Sequence, residues 1–210
     1  MYIFSMENPF FRFIGRLVDL IYINILTLIC CIPVFTAGAA FSAMYHVLIR
    51  LSLKEEVVIT VPFFREFKSC FKKATLVWLP SLLIILILIS NGYLVYQGIL
   101  EPYPTLKFAV QTSIVVILIG IVMFLNYYFA IISRYDTDIK QSIKNSGLMI
   151  MGYFPRSICM IIILLSPLAL MTLSDYFLIF WFFYGISFPG YVNATLLGGL
   201  FIKTEQVNKE

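Results

Sequence analysis

The sequence predicts an all-α membrane protein, a bundle of six transmembrane helices arranged as three hairpins with short interfacial helices on its cytoplasmic side. Of the 210 residues, 61% are hydrophobic and 12% charged, whereas a soluble domain carries about 25% charged residues. The apolar residues are gathered into long runs that reach the roughly 20 residues needed to cross a bilayer. Lys and Arg fall into alternate loops, as in multi-pass membrane proteins.

We predict a single membrane domain over residues 1–210, with spans near residues 10–32, 36–53, 74–96, 108–132, 157–173 and 176–201. Pro33 separates the first two, because proline cannot donate a backbone hydrogen bond and ends the helix before it. Thr36 is placed to cap the second helix, whose small residues 37–43 would let it lie close against the first. If this stretch crosses only once, the alternative is five helices.

The distribution of basic residues predicts the orientation. Twelve of the fifteen Lys and Arg residues lie in segments 50–73, 134–156 and 203–209, which alternate onto one side of the predicted membrane. That side is cytoplasmic by the positive-inside rule. Six helices place Arg12 and Arg16 there as well, so we predict a plasma-membrane protein with both termini cytoplasmic.

Two basic segments show helical spacing of their apolar residues, which predicts helices lying in the headgroup region. They are residues 63–73 and 139–151. Contact with anionic lipids is one interpretation, and a partner-binding surface is the other. The candidate contact residues are Arg65, Lys68, Lys72, Lys73, Lys140 and Lys144.

Polar residues at membrane depth are the other candidates, because such groups are costly in hydrocarbon and face a partner or a cavity. They are Asp19, Asn24, Asn126 and Asn193. Asp19 shares a helical face with Arg16 and could pair with it. The asparagines could join helices by hydrogen bonds. Pro189 would kink the last span and free a carbonyl there, which makes this region a candidate pocket.

No residue pattern predicts catalysis, a cofactor or a metal, so we expect a protein that is not an enzyme. Asp136-Thr137-Asp138 has the Asp-x-Asp form of metal-dependent glycosyltransferases, but no nucleotide-binding domain accompanies it. Asp138 is better placed to cap a helix beginning at residue 139. His46 is the only histidine, and alone it forms neither a metal site nor a triad.

The chain resembles the YesL-like membrane proteins of Gram-positive bacteria, a family of unknown function, over most of its length. The residues that carry the resemblance are Arg16-Leu17-Val18-Asp19-Leu20, Asn24, Pro33, Thr36-x-Gly38-Ala39, Ala43-x-Tyr45, Phe71-Lys72-Lys73-Ala74, Arg134-Tyr135-Asp136, Asn145, Pro155-Arg156 and Pro189-x-Tyr191-x-Asn193. The resemblance implies a plasma-membrane protein associated with carbohydrate uptake and polysaccharide utilisation. It implies no known reaction.

We therefore expect a non-enzymatic accessory or scaffold protein whose partners are the lipid bilayer and, as candidates, sugar ABC-transporter permease subunits, with no nucleic acid. The alternative is a small-solute transporter with a polar path between helices. Convergence of the buried polar residues on a hydrated cavity would favour the transporter. Separate helix contacts would favour the accessory protein.

Overall fold

The described part of the chain comprises residues 9–53, 58–98, 101–171 and 182–207 of a computed structural model, and its regular elements are all helices. The beginning of the predicted sixth span, residues 176–181, lies outside these ranges. The helices are α1 (Pro9–Cys31), α2 (Ala37–Ser52), α3 (Thr60–Tyr96), α4 (Pro104–Ile132), α5 (Ile139–Gly152), α6 (Phe154–Met171) and α7 (Ser187–Val207), with a 3-10 turn at Val34–Thr36 between α1 and α2.

Four of these described segments are long and apolar enough to cross a membrane: Ile14–Cys31, Val34–Ser52, Thr60–Tyr96 and Pro104–Ile132. Helices α5 and α6 make a fifth candidate if they are counted as one broken span, although they are bent by 100°. The all-helical fold class is therefore confirmed, and by length and composition four or five segments could cross a membrane. The predicted arrangement of six helices in three hairpins is not confirmed.

Helix α2 forms the centre of the bundle. In its apolar 18-residue window 72% of the residues are buried inside the protein, against 6% and 11% in the corresponding apolar windows of α3 and α4. It packs against α1, α3, α4 and α7. Side chains at its centre, including Val47 and Leu48, are fully buried. The other helices thus share α2 as their common core, and their own outer faces stay exposed.

The small-residue face of α2 allows a close approach to α3. A Cβ atom added at Gly38 would lie 2.7 Å from Cβ of Trp78 and 3.2 Å from the carbonyl oxygen of Ala74. The sequence predicts that this face meets α1, but Gly38 faces α3 instead. Gly38 lies beside Trp78 and His46 beside Glu66, so α3 runs antiparallel to α2 along this face.

The predicted break at Pro33 is present, but Thr36 acts differently from the prediction. Its side chain makes no capping hydrogen bond to α2. The hydroxyl lies 2.5 Å from the carbonyl oxygen of Cys30 and 2.6 Å from that of Pro33. Thr36 therefore satisfies carbonyl groups at the end of α1, which would otherwise lack donors.

The basic segment 63–73 does not form a helix of its own, because α3 runs unbroken from Thr60 to Tyr96 over 37 residues. Its residues continue directly into the apolar half of the helix. Nothing between Lys73 and Leu76 breaks a helix, and Pro80 is accommodated inside it. In contrast, the second predicted interfacial segment does form a separate helix, α5, and one residue, Tyr153, separates it from α6.

The contact at Gly38 makes a testable prediction. We expect Gly38→Ala to lower the thermal stability of the purified protein, because the added methyl group overlaps Trp78 and overpacking costs about 1–3 kcal/mol. Gly120→Ala in α4 is the matched control, since a Cβ there meets nothing within 4 Å. Thermal unfolding in mild detergent measures both variants. Equal melting temperatures would show that α2 does not lie this close to α3.

Candidate functional site

Asn24 holds together a break in the helical chain near residue 186. Its side chain is fully buried. The Nδ2 atom donates to the carbonyl oxygen of Phe182 at 2.7 Å, and Oδ1 accepts from the backbone N–H groups of Ile186 at 3.1 Å and Ser187 at 2.9 Å. One amide from α1 thus serves both a carbonyl before the break and the N–H groups that begin α7. These are backbone groups that a helix end leaves without partners.

This break corrects the prediction that Pro189 kinks a continuous helix. Residues 185 and 186 form a turn, and α7 begins at Ser187. Pro189 lies in the first turn of α7, where a missing N–H group costs no helical hydrogen bond. The carbonyl of Ile186 accepts from the N–H of Gly190 at 3.0 Å. The interruption therefore precedes the proline, and Asn24 stabilises it.

A second polar group lies between α2, α4, α6 and α7. The Tyr45 hydroxyl donates to Oδ1 of Asn126 at 2.8 Å. Asn193 lies beside the same hydroxyl, and its Nδ2 donates to the carbonyl oxygen of Met160 at 3.2 Å. Tyr45 is 3% exposed, Asn126 7% and Asn193 0%. These contacts join four helices through hydrogen bonds in an otherwise apolar interior.

A cavity of about 240 Å³ borders this polar group. Its lining residues come from five helices and the turn before α7: Phe41, Met44, Tyr45, Trp78, Ile85, Val122, Leu125, Asn126, Phe129, Leu164, Ile186 and Gly190. Only Tyr45 and Asn126 contribute polar side chains beyond the indole of Trp78, and they hydrogen-bond each other. The walls are otherwise aliphatic and aromatic, so the cavity suits an apolar chain better than a hydrated solute.

The four predicted polar residues do not converge on one path. Asn126 lines the cavity and meets Asn193 at the Tyr45 hydroxyl, whereas Asn24 lies at the helix break. Asp19 is partly buried near Arg16. However, Arg16 donates to the Tyr191 hydroxyl at 3.0 Å, and no ion pair joins it to Asp19 among the side chains that the structure describes. The expected Arg16–Asp19 pair is therefore replaced by a link between α1 and α7.

The structure also brings together Cys70, Glu66 and His46, which no sequence motif connects. Cys70 donates from Sγ to Oε1 of Glu66 at 2.7 Å, and its Sγ is 3.2 Å from the carbonyl oxygen of Ile132. Oε2 of Glu66 lies 3.7 Å from Nδ1 of His46, which is 2.8 Å from the carbonyl oxygen of Ser133. The cluster links α2, α3 and the end of α4. The four-residue spacing of Glu66 and Cys70 was visible, but the position of His46 depends on how α2 packs against α3.

This cluster does not have the arrangement of a catalytic triad. In a cysteine–histidine–acid triad the histidine lies between the thiol and the acid, whereas here the Cys70 thiol donates directly to the Glu66 carboxylate and His46 approaches the other oxygen of that carboxylate. No group of three or more His, Cys, Asp or Glu side chains in the described ranges could hold a metal ion. The contacts of His46, Glu66 and Cys70 instead connect three helices.

The candidate basic residues form an exposed surface. Arg65, Lys68 and Lys72 of α3 are exposed, as are Lys140 and Lys144 of α5. The two groups are adjacent, because Lys73 of α3 forms an ion pair with Asp136, three residues before α5 begins. This end of the bundle therefore presents a positively charged band across two helices.

The Asp136-Thr137-Asp138 segment serves local structure. A hydrogen bond from Lys73 holds the pKa of the Asp136 carboxyl below its usual value. Asp138 occupies the N-cap position of α5, as predicted, but makes no side-chain capping bond. The Thr137 hydroxyl is instead 2.7 Å from that of Ser142. Asp136 thus joins α3 to the segment before α5, and Thr137 bonds to the beginning of α5 itself.

Comparison with known proteins gives one family. The model of a family described as "Protein of unknown function, DUF624" matches residues 20–92, which run from α1 to the last turns of α3. No curated protein and no solved structure matches the chain. The matched range contains Asn24, Tyr45, Gly38 and the basic face of α3, and the family description names no activity.

The helix break makes the second prediction. Asn24→Leu should lower the melting temperature by several degrees, because buried backbone groups left unpaired cost about 1–3 kcal/mol each. Asn91→Leu is the matched control, since Asn91 is exposed and bonds only the carbonyl of Ile87 in its own helix, at 2.8 Å. Thermal unfolding in detergent compares the two. If both variants unfold at the same temperature, Asn24 does not hold the break.

Proposed function

We propose that this protein is an integral plasma-membrane accessory or scaffold component that acts by binding a partner at its cytoplasmic side. The observation that carries the proposal is the exposed row Arg65, Lys68 and Lys72. These residues are spaced three and four apart on one face of α3, and such residues are neighbours on a helix. A rigid helix therefore presents them together to anything that approaches this end of the bundle.

The charge of this surface favours an acidic partner next to the membrane. Lys140 and Lys144 of α5 extend the row, whereas Lys73 is already paired with Asp136. Each Lys or Arg near an anionic leaflet contributes about 1 kcal/mol of attraction, so lipid headgroups would hold this end at the membrane surface. A protein partner at the same level would meet both the basic side chains and the adjacent aromatic Phe64.

The resemblance to the YesL-like family supports carbohydrate uptake or polysaccharide utilisation as the setting. In that setting the candidate partners are the permease subunits of a sugar ABC transporter, which lie in the same membrane. An accessory protein of this kind carries out no reaction itself.

We also propose a multi-pass topology with both termini cytoplasmic. Twelve of the fifteen Lys and Arg residues lie in segments that this topology places inside. The arrangement requires an even number of crossings, and the three hairpins expected from the sequence are one way to satisfy it.

A small-solute transporter is the second candidate. The observation that favours it is the cavity beside Tyr45 and Asn126, because transporter sites often lie near a broken helix. The lining is nearly all apolar, however, and Asn24 and Asn193 are used in separate helix contacts. The accessory role is therefore the better supported of the two.

Crosslinking tests the accessory role. In native membranes we expect crosslinking to recover sugar-transporter permease subunits with the wild-type protein. Recovery should fall strongly in the variant Arg65→Ala, Lys68→Ala, Lys72→Ala at equal expression, because the charged contact is lost. Lys107→Ala serves as the control, because Lys107 lies in the first turn of α4, whereas the end of α4 lies beside the basic part of α3. Unchanged recovery with the triple variant would contradict the basic surface, and sugar flux into vesicles of the purified protein alone would favour the transporter.

Cysteine labelling tests the orientation. In a cysteine-free background, single cysteines at Glu55, Thr137 and Lys203 should resist an impermeant thiol reagent in intact cells, because they lie in segments placed inside. A cysteine at Pro102 should react. The opposite labelling pattern would invert the proposed orientation.

A further inference from the structure

The turn between α1 and α2 lies level with the middle of α3. The indole Nε1 of Trp78 donates to the carbonyl oxygen of Val34 at 2.8 Å, and Gly38 at the start of α2 meets the same tryptophan. Beyond this point α3 continues from residue 79 to Tyr96, about 27 Å at 1.5 Å per residue. Neither α1 nor α2 extends alongside that part of the helix.

The part of α3 beyond Trp78 requires a hydrocarbon environment. Its side chains are apolar and exposed, as are those of the neighbouring half of α4; Leu83 is 61% exposed, Ile87 52% and Val116 62%. The length of this segment is close to the roughly 30 Å thickness of a bilayer core. We call this part of α3 and the neighbouring half of α4 the upper halves of these helices. They are long enough to cross the hydrocarbon core without α1 or α2 beside them.

The part of α3 before Trp78 has the opposite character. It lies beside α2, as the approach of Glu66 to His46 shows. Its outer face carries the exposed Arg65, Lys68 and Lys72. A Lys or Arg placed at the centre of a bilayer costs about 2.5–3.5 kcal/mol on insertion scales. If α2 crossed the membrane, this row would lie at the same depth.

The hydrocarbon core of the bilayer can enclose only one of these two parts of α3. Helix α3 has 37 residues and is about 55 Å long at 1.5 Å per residue, while the hydrocarbon core measures about 30 Å. Even a tilt of about 40°, the upper end for membrane helices, leaves it too long. The charged row decides which half of α3 lies outside.

Helix α5 gives independent evidence for the point at which α3 enters the membrane. It is bent by 100° from α6, so it lies close to the membrane plane if α6 crosses the membrane, and it exposes Lys140 and Lys144. The Lys73–Asp136 ion pair fixes its beginning beside α3. The membrane boundary therefore falls between Lys73 and Trp78, and tryptophan is enriched at such boundaries.

From these positions we infer that the α1–α2 hairpin does not cross the bilayer. It rises from the side that carries the basic row, reaches the membrane boundary with the exposed tip residues Ile32, Val34 and Phe35, and returns. The bilayer partner of this tip is the headgroup and outermost acyl region of one leaflet. The start of α1 then lies on the same side as the start of α3.

One feature of α1 favours lipid contact instead: Ile14, Val18, Tyr22 and Ile29 form an exposed row on its outer face. The Tyr22 hydroxyl is 2.8 Å from that of Thr60, at the start of α3. Immersing this row would therefore also immerse the basic face of α3. It would leave the upper halves of α3 and α4 in water, which is the more costly arrangement.

The side of the membrane that Val34 faces tests the inference. In a cysteine-free background, Val34→Cys and, separately, Phe35→Cys should react with an impermeant maleimide on the membrane face opposite to Pro102→Cys, measured in right-side-out and inside-out vesicles. No reaction is expected on the Pro102 face above that of Ile87→Cys, an internal control in the middle of the apolar part of α3.

Reaction of Val34→Cys on the same face as Pro102→Cys would overturn the inference, because the hairpin would then cross. Protection from both faces equal to that of Ile87→Cys would also overturn it, because the tip would then lie deep in hydrocarbon. The comparison with Pro102 keeps the result independent of the proposed orientation and of any partner.

Discussion

The close contact between α2 and α3 is the constraint on which the rest of this structure depends. Gly38 lets Cβ of Trp78 approach its backbone, and the two helices then run antiparallel along their shared length. This alignment carries His46 to Glu66. Other faces of α2 receive α4 and α7, so that Tyr45 reaches Asn126. Because α2 is enclosed, the polar contacts of the bundle form around it.

That alignment conflicts with a simple count of apolar segments. By length and composition, segments of α1, α2, α3 and α4 are all candidate spans, but composition does not show that α2 lies beside the basic half of α3. Once they are side by side, a bilayer about 30 Å thick cannot enclose both α2 and the upper half of α3. In the inferred topology, packing between helices rather than hydropathy decides which segments cross.

The sequence predicted the helices well because long apolar runs and Pro33 leave few alternatives. It misplaced local details that depend on distant partners. Thr36 has the chemistry of an N-cap but donates backwards to Cys30. Pro189 has the chemistry of a kink but lies after a break. Asn24, more than 150 residues earlier in the chain, supplies the hydrogen bonds that stabilise the turn at residues 185 and 186.

The same distinction applies to the candidate site. Asn24, Asn126 and Asn193 could be selected from sequence, since buried amides in apolar helices require partners. Their partners could not, because those of Asn24 and the Met160 carbonyl bound by Asn193 are backbone groups without a sequence signal, and the pairing of Asn126 with Tyr45 depends on how α2 packs against α4. In the structure each amide is used mainly to join helices. The hydrogen bonds of these amides are made to other helices rather than directed at a solute, although the buried Asn193 Oδ1 and Ser187 Oγ have no partner among the described residues, whereas the basic row is exposed and available for binding. The use of the buried amides in helix contacts and the exposure of the basic row therefore favour a binding role over transport.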